Sequence, residues 1–237
     1  GVPELRQAVA AHNKRFYGLD INWKTETMVS SGATEGLAAC FLGLLNQGDE
    51  VVVIEPLYDC YLPMIERAGG IPKRVSVEPP EWKLNGSALR AAFSDKTKLV
   101  LINSPQNPSS KVYHREELLL IADLVKEHDA IAICDEVYEH MVYDNRQHIP
   151  LMTLPGMRDR SIRIGSAGKT FSLTGWKVGY LTGSEELLKA VSKAHQFLVF
   201  TTPPNLQRAV AYGLNGDGTY FDRLTIDMRS KRDRLAE

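Results

Sequence analysis

The sequence predicts an α/β fold, a mostly parallel sheet sandwiched between helices in three layers. Three observations carry the prediction. Short β-branched runs are apolar along their whole length, and longer segments of helical length and spacing alternate with them. Strands buried on both faces and joined through helices form parallel sheets. The third is size: 237 residues, 43% hydrophobic and 24% charged, suffice for one substantial core.

In chain order, residues 34–46 have the apolar spacing of a helix and follow the turn Gly32-Ala33. Residues 50–54, 98–102, 130–134 and 161–164 read as buried strands, and 115–128 reads as a second helix. The proline-rich stretch 77–82 and the turn Asn215-Gly216-Asp217-Gly218 read as loops, the latter a hinge or domain boundary. Residues 220–237 form a last helix, with Phe221, Leu224, Met228 and Leu235 roughly on one face. The chain starts at Gly1 and stops inside that helical pattern, so it is expected to be a piece of a longer protein.

Composition narrows the function. A net charge of -1 without a basic run gives no footprint for nucleic acid or an anionic membrane surface. No apolar stretch approaches the roughly 20 residues needed to span a bilayer. Small-molecule chemistry is the better expectation. Cys40, Cys60 and Cys134 are too scattered for a disulfide framework or a metal knuckle, which fits a reducing, cytoplasmic compartment.

Ligands of parallel sheets sit beyond the carboxyl ends of the strands. There the chain carries Asn103 to Pro108, then Asp135-Glu136-Val137-Tyr138, then Gly165 to Lys169. Gly168-Lys169-Thr170 has two readings. As a nucleotide loop it would need a glycine six residues before the lysine, and that residue is Arg163. Gly165 is too close to make a phosphate-wrapping loop, and the acidic strand ending in Asp135-Glu136 precedes the lysine instead of following it. As carbonyl chemistry, Lys169 would form an imine with an aldehyde cofactor. That needs a carboxylate for a ring nitrogen, donors for a ring hydroxyl, an aromatic face and an anion site.

The chain supplies all of these, in Ser166-Ala167-Gly168-Lys169-Thr170-Phe171-Ser172, Asp135-Glu136-Val137-Tyr138, Asn103-Ser104-Pro105-Gln106-Asn107-Pro108 and Glu55-Pro56-Leu57-Tyr58-Asp59-Cys60-Tyr61. In these motifs it closely resembles the class I/II aminotransferases, the fold type I pyridoxal phosphate enzymes. The resemblance is greatest to the kynurenine, glutamine and methionine aminotransferase branch and runs from Gly1 to the final helix.

The resemblance implies that Lys169 is the Schiff-base lysine and the proton shuttle. It implies that Asp135 pairs with the pyridinium nitrogen, and that Tyr138 and Asn107 donate to the ring hydroxyl. Gly32, Ala33 and Thr34, with Ser166 and Lys177, would capture the phosphate of pyridoxal 5′-phosphate. Tyr58 would stack on the ring and Tyr61 would line the substrate pocket beside it. A buried Asp135 further requires a cationic partner, since an unpaired carboxylate costs several kcal/mol inside a protein.

Taken singly, each residue has a plainer reading. Lys169 could be solvated, Asp135 a helix N-cap, Tyr138, Tyr58 and Tyr61 core aromatics, Asn107 a turn residue before proline, and Gly32 a loop residue before a helix. The resemblance also implies a transaminase acting on an amino acid and a 2-oxo acid, working as a homodimer. A carbon–sulfur β-lyase on the same cofactor residues and a non-catalytic cofactor sensor stay open. Residues 1–218 would be the cofactor-binding large domain and 219–237 the start of the helix leading to a small domain.

Two features depart from the family pattern. Its Asn-Pro-x-Gly-Lys sequence is Asn107-Pro108-Ser109-Ser110-Lys111 here, and a positive φ at Ser110 would cost about 1 kcal/mol. A local adjustment is expected there. The family's substrate-carboxylate arginine and its N-terminal pocket segment both fall outside these residues.

Overall fold

The strands are apolar because they are covered on both sides. In the computed structural model, which describes all 237 residues, Val51 and Val53 pack into one core and Val52 and Ile54 into another. Leu99 and Leu101 alternate in the same way with Val100 and Ile102. The seven strands are β1 (Thr27–Ser30), β2 (Glu50–Glu55), β3 (Ile71–Ser76), β4 (Thr97–Asn103), β5 (Ile131–Asp135), β6 (Ser161–Ser166) and β7 (Gly179–Thr182). Their order is β1-β7-β6-β5-β4-β2-β3. Every neighbour pairing is parallel except those of β7, which runs antiparallel to both β6 and β1.

The four strands read from the sequence are β2, β4, β5 and β6, each one or two residues longer or shifted at an end. β1, β3 and β7 lacked a signal. Two are four residues long, and β3 is an exposed edge strand carrying Pro72, Lys73 and Arg74.

Helices α2 (Gly32–Leu44), α3 (Tyr61–Arg67) and α7 (Glu185–Leu198) cover one face, and α4 (Gly86–Ala91) and α5 (Arg115–Glu127) the other. α2 begins two residues before the predicted start and stops two residues early. It lies close on α7, where a Cβ on Gly43 would come within 2.9 Å of the Ala190 carbonyl oxygen. α1 (Pro3–Tyr17) and α8 (Pro204–Leu214) pack a third core with Val29, Val178 and Tyr180 at the β1 and β7 end.

The short α6 (Ala167–Thr170) carries the lysine, and α9 (Thr219–Ala236) follows the Asn215–Gly218 turn. The start of α9 packs its apolar side chains on the domain, and further along Arg232 reaches back to Asp144 and the Tyr143 ring. Phe221 and Leu224 are buried, whereas Leu235, expected on the same apolar face, is 90% exposed. Residues 77–82 are irregular, as predicted. The three cysteines are unpaired thiols, and no helix is long and apolar enough to cross a membrane.

Candidate functional site

Parallel strands deliver their carboxyl ends to one rim, and because β7 is reversed its amino end arrives there too. One cavity at that rim is lined by all eleven residues singled out above: Gly32, Ala33, Thr34, Tyr58, Tyr61, Asn107, Asp135, Tyr138, Ser166, Lys169 and Lys177. Its volume of about 150 Å³ exceeds the roughly 30 Å³ share of a single water several times over.

Asp135 ends β5 and is almost fully buried. It caps no helix. The Tyr61 hydroxyl donates to its Oδ2 at 2.6 Å, and the Val137 N–H approaches Oδ1 at 3.4 Å. No ammonium or guanidinium of the chain is hydrogen-bonded to this carboxylate, and the Lys169 charge acts on it only through space. Burial therefore dominates and raises the Asp135 carboxyl to about 6, with the Tyr61 and Val137 bonds opposing it. Burial, then the Asp135 charge, hold the Tyr61 phenol well above its ordinary value, so Tyr61 remains the donor. Sequence reasoning gave Tyr61 a place in the pocket but not this contact. A hydrogen bond across 74 residues leaves no local signal.

Lys169 is half-buried in α6, with Nζ 5.7 Å from the centroid of the Tyr138 ring. Its turn is packed from below, since a Cβ on Gly168 would lie 2.9 Å from the Thr174 Cα. The Tyr220 hydroxyl of α9 holds the turn by donating to the Thr170 carbonyl at 2.7 Å. Neither Lys169 nor Lys177 pairs with a carboxylate, although buried ion pairs exist elsewhere in the chain. Burial, then the Asp135 charge, raise the Tyr138 phenol, and the Asn107 side chain opposes them. Asn107 is itself fixed by its N–H, which donates to Asn103 Oδ1 at 2.7 Å. Tyr58 stands at the mouth, 40% exposed, its ring edge-on to Tyr61 at 5.8 Å.

Gly32, Ala33 and Thr34 of the first turn of α2 line the cavity, and the first N–H groups of a helix have no partner within it. Gly32 has φ 78°, and Lys177, itself left-handed at φ 53°, packs above it. One charge escaped the sequence-based reading: Glu35 lies in the same first turn. Its carboxylate accepts from the Ser31 N–H at 2.9 Å and pairs with His195 Nδ1 at 3.0 Å, which turns it towards α7.

A Cβ on Gly179 would lie 2.5 Å from the Gly32 carbonyl carbon and 2.8 Å from its oxygen. Gly179→Ala is therefore expected to displace the start of α2 and to cost roughly 1–3 kcal/mol of stability by overpacking. Urea denaturation measures this, and wild-type stability would show that the turn has slack.

Ser110 does not adjust. It keeps φ 60°, its N–H donating to the Gln106 carbonyl at 2.7 Å, so the serine bears the strain a glycine would avoid.

Fold and cavity together define an α/β protein with a small cavity beyond its strand ends, lined by two unpaired ammonium groups and one buried carboxylate. Comparison with known proteins makes the class specific. The family model for aminotransferase class I and II matches residues 1–237. The kynurenine–oxoglutarate transaminase of Dictyostelium discoideum is 43% identical, covering 98% of this chain and 58% of its own length. Human kynurenine–oxoglutarate transaminase 1 is 39% identical, covering 99% and 60%. The solved N-succinyldiaminopimelate aminotransferase from Mycobacterium tuberculosis is 41% identical with a TM-score of 0.98, over 100% of this chain and 62% of that one. The chain belongs to the class I and II aminotransferase family. It spans about 60% of the length of the curated relatives it matches.

Proposed function

We propose that this chain forms the cofactor-holding part of a pyridoxal 5′-phosphate-dependent aminotransferase, one that moves an amino group from an amino acid to a 2-oxo acid. The observation that carries the reading is Asp135, a buried carboxylate with a hydroxyl donor but no hydrogen-bonded cation, the Lys169 charge reaching it only through space. A protonated ring nitrogen is the cation it lacks. The donor set fits the rest of the group: free N–H groups at α2 and the Lys177 ammonium for a phosphate, two polar side chains for a ring hydroxyl, and a lysine amine for an aldehyde.

When bound, the cofactor supplies the electron sink that acidifies the α-C–H bond of an amino acid. The protein's residues do the rest. Lys169 Nζ would hold the aldehyde, and its amine would carry a proton at the substrate α-carbon. Asp135 would keep the ring nitrogen protonated, Asn107 and Tyr138 would hold the ring hydroxyl, and Tyr58 would stack on the ring. Lys177 and the α2 terminus contribute about +1.5 against roughly -1.5 to -2 on the phosphate, with Ser166 as a hydroxyl donor.

Two finer readings belong with this one. A homodimer is supported by the apolar surface around the end of α7 and α8, where Phe197 is 88%, Phe200 74% and Tyr212 86% exposed. Three unpaired thiols support a cytoplasmic location.

A donor screen of the full-length protein with 2-oxoglutarate and pyruvate as acceptors tests the function, covering kynurenine, methionine, glutamine and aspartate. New amino acid formed from the acceptor supports it. Release of ammonia and pyruvate from sulfur conjugates without acceptor turnover would replace it with β-lyase chemistry. Lys177→Ala is expected to weaken cofactor binding roughly tenfold to a hundredfold, the worth of a charged hydrogen bond. Equilibrium dialysis reads this, and a change in donor preference alone would show that Lys177 does not face the phosphate.

A further inference from the structure

The segment that ends β5 has two faces. Asp135 and Tyr138 line the cofactor cavity. Glu136 and Glu139, one residue further along in each case, join a buried polar cluster with Arg163 of β6 and Asn13 and Tyr17 of α1. Arg163 stands at its centre, the residue that breaks the nucleotide-loop pattern in the sequence. It lies on β6 opposite Cys134 of β5.

Each nitrogen of its guanidinium has a partner. Nε donates to Glu136 Oε2 at 2.5 Å, one terminal nitrogen to Glu139 Oε2 at 2.9 Å, and the other to Asn13 Oδ1. The Tyr17 hydroxyl donates to the same Glu139 oxygen at 2.5 Å, and its ring lies under the guanidinium at 4.4 Å. His148 Nε2 meets Glu136 Oε2 at 3.1 Å, and His12 and His140 share a hydrogen bond at 2.9 Å. Three of these groups, His12, Asn13 and Tyr17, come from α1.

Burial works against ionisation of both carboxylates. It is overcome only by several groups acting together, for Glu136 by Arg163 with His148 and for Glu139 by His12, Arg163 and His140 with the Tyr17 hydroxyl, so both carboxyls are held below their ordinary value. Burial pushes His12 itself down to about 4, which leaves it uncharged at neutral pH. His12, Glu139 and His140 bring ligand-type atoms within 4.8 Å of one another, but Glu139 is already neutralised and the imidazoles are already paired.

We propose that Arg163, with Glu136, Glu139 and Tyr17, is a positioning device that fixes the segment from Asp135 to His140 so that Asp135 and Tyr138 face the cofactor, making the docking of α1 a condition of cofactor retention. The proposal rests on the pyridoxal phosphate reading of the cavity. Its physical basis is short leverage: Glu136 and Glu139 are each joined by one peptide bond to a cavity residue. A loosened carboxylate moves that residue with it, and forked, charge-assisted hydrogen bonds add geometric specificity to what packing supplies.

The test uses the full-length protein and three variants. Tyr17→Phe removes one hydroxyl and keeps the ring, Glu139→Gln removes one charge, and Arg163→Lys keeps the charge but loses the fork. Cofactor dissociation constants come from equilibrium dialysis, whose readout does not need the visible imine band, alongside the pH profile of that band and the cofactor-free Tm.

Tyr17→Phe and Glu139→Gln are each expected to weaken pyridoxal phosphate binding roughly threefold to thirtyfold, and their double variant by less than the product, as residues in one network do. The pH profile of the band should shift and kcat fall, while KM for the amino donor stays near wild type. Lower Tm with wild-type cofactor affinity and pH profile would reduce the network to a structural brace and overturn the proposal. Lys169→Ala serves as the separate control. If it keeps the visible band, the imine assignment fails, while the dialysis constants still decide the role of Arg163.

Discussion

Lys169→Ala is expected to lose the visible absorbance that pyridoxal phosphate gives with the wild-type protein, and to lose turnover by more than roughly 10⁴-fold. Two functions disappear with one amine: the anchor for the aldehyde and the base at the substrate α-carbon. The fold should survive, because the lysine is half-buried, forms no ion pair and makes one long contact with the Tyr138 ring. Circular dichroism and Tm close to wild type, with the band gone, are the expected pair of results. A band that persists unchanged in this variant would move the imine to another lysine.

Asp135→Asn is expected to do two opposite things. Turnover should fall steeply, because an amide cannot keep a ring nitrogen protonated. The cofactor-free protein, however, should become more stable at neutral pH. Burial raises the folded-state carboxyl to about 6, whereas the unfolded chain titrates near 3.9. The stabilisation from this proton is complete below about pH 4 and is lost as pH rises through about 6. Above that the folded wild type carries the whole cost of a desolvated charge, on the order of 3 kcal/mol for a shift of about two units.

Asparagine removes the charge and still accepts from Tyr61. A gain of roughly 1–3 kcal/mol at pH 7–8, shrinking to nothing near pH 4, is the expected result of urea denaturation without cofactor. Equal stability at both pH values would mean that Asp135 is not desolvated as described. Full activity would remove it from the ring nitrogen. The combination, more stable but inactive, marks a site whose strain is relieved by its ligand.

Much of this was legible beforehand for a simple reason. Strands such as Val51–Ile54 and Leu99–Ile102 bury both faces, so burial leaves a continuous apolar run, and where that run stops at Asn103, Asp135 or Ser166 the rim begins. The four-residue strands β1 and β7 leave no such run, and β3 has an exposed face. Residue types along one stretch also identify a lysine, a carboxylate and a glycine turn as candidates.

The sequence by itself therefore determined the parallel core, the rim, and which residues meet there. Only the tertiary structure decided how they are held: Tyr61 on Asp135, Glu35 turned to His195, and Arg163 between two carboxylates and α1. Those contacts span 74, 160 and 24 residues of chain. Apolar burial repeats along a segment and can be read locally, whereas a hydrogen bond between distant side chains depends on directions that exist only once the sheet is assembled.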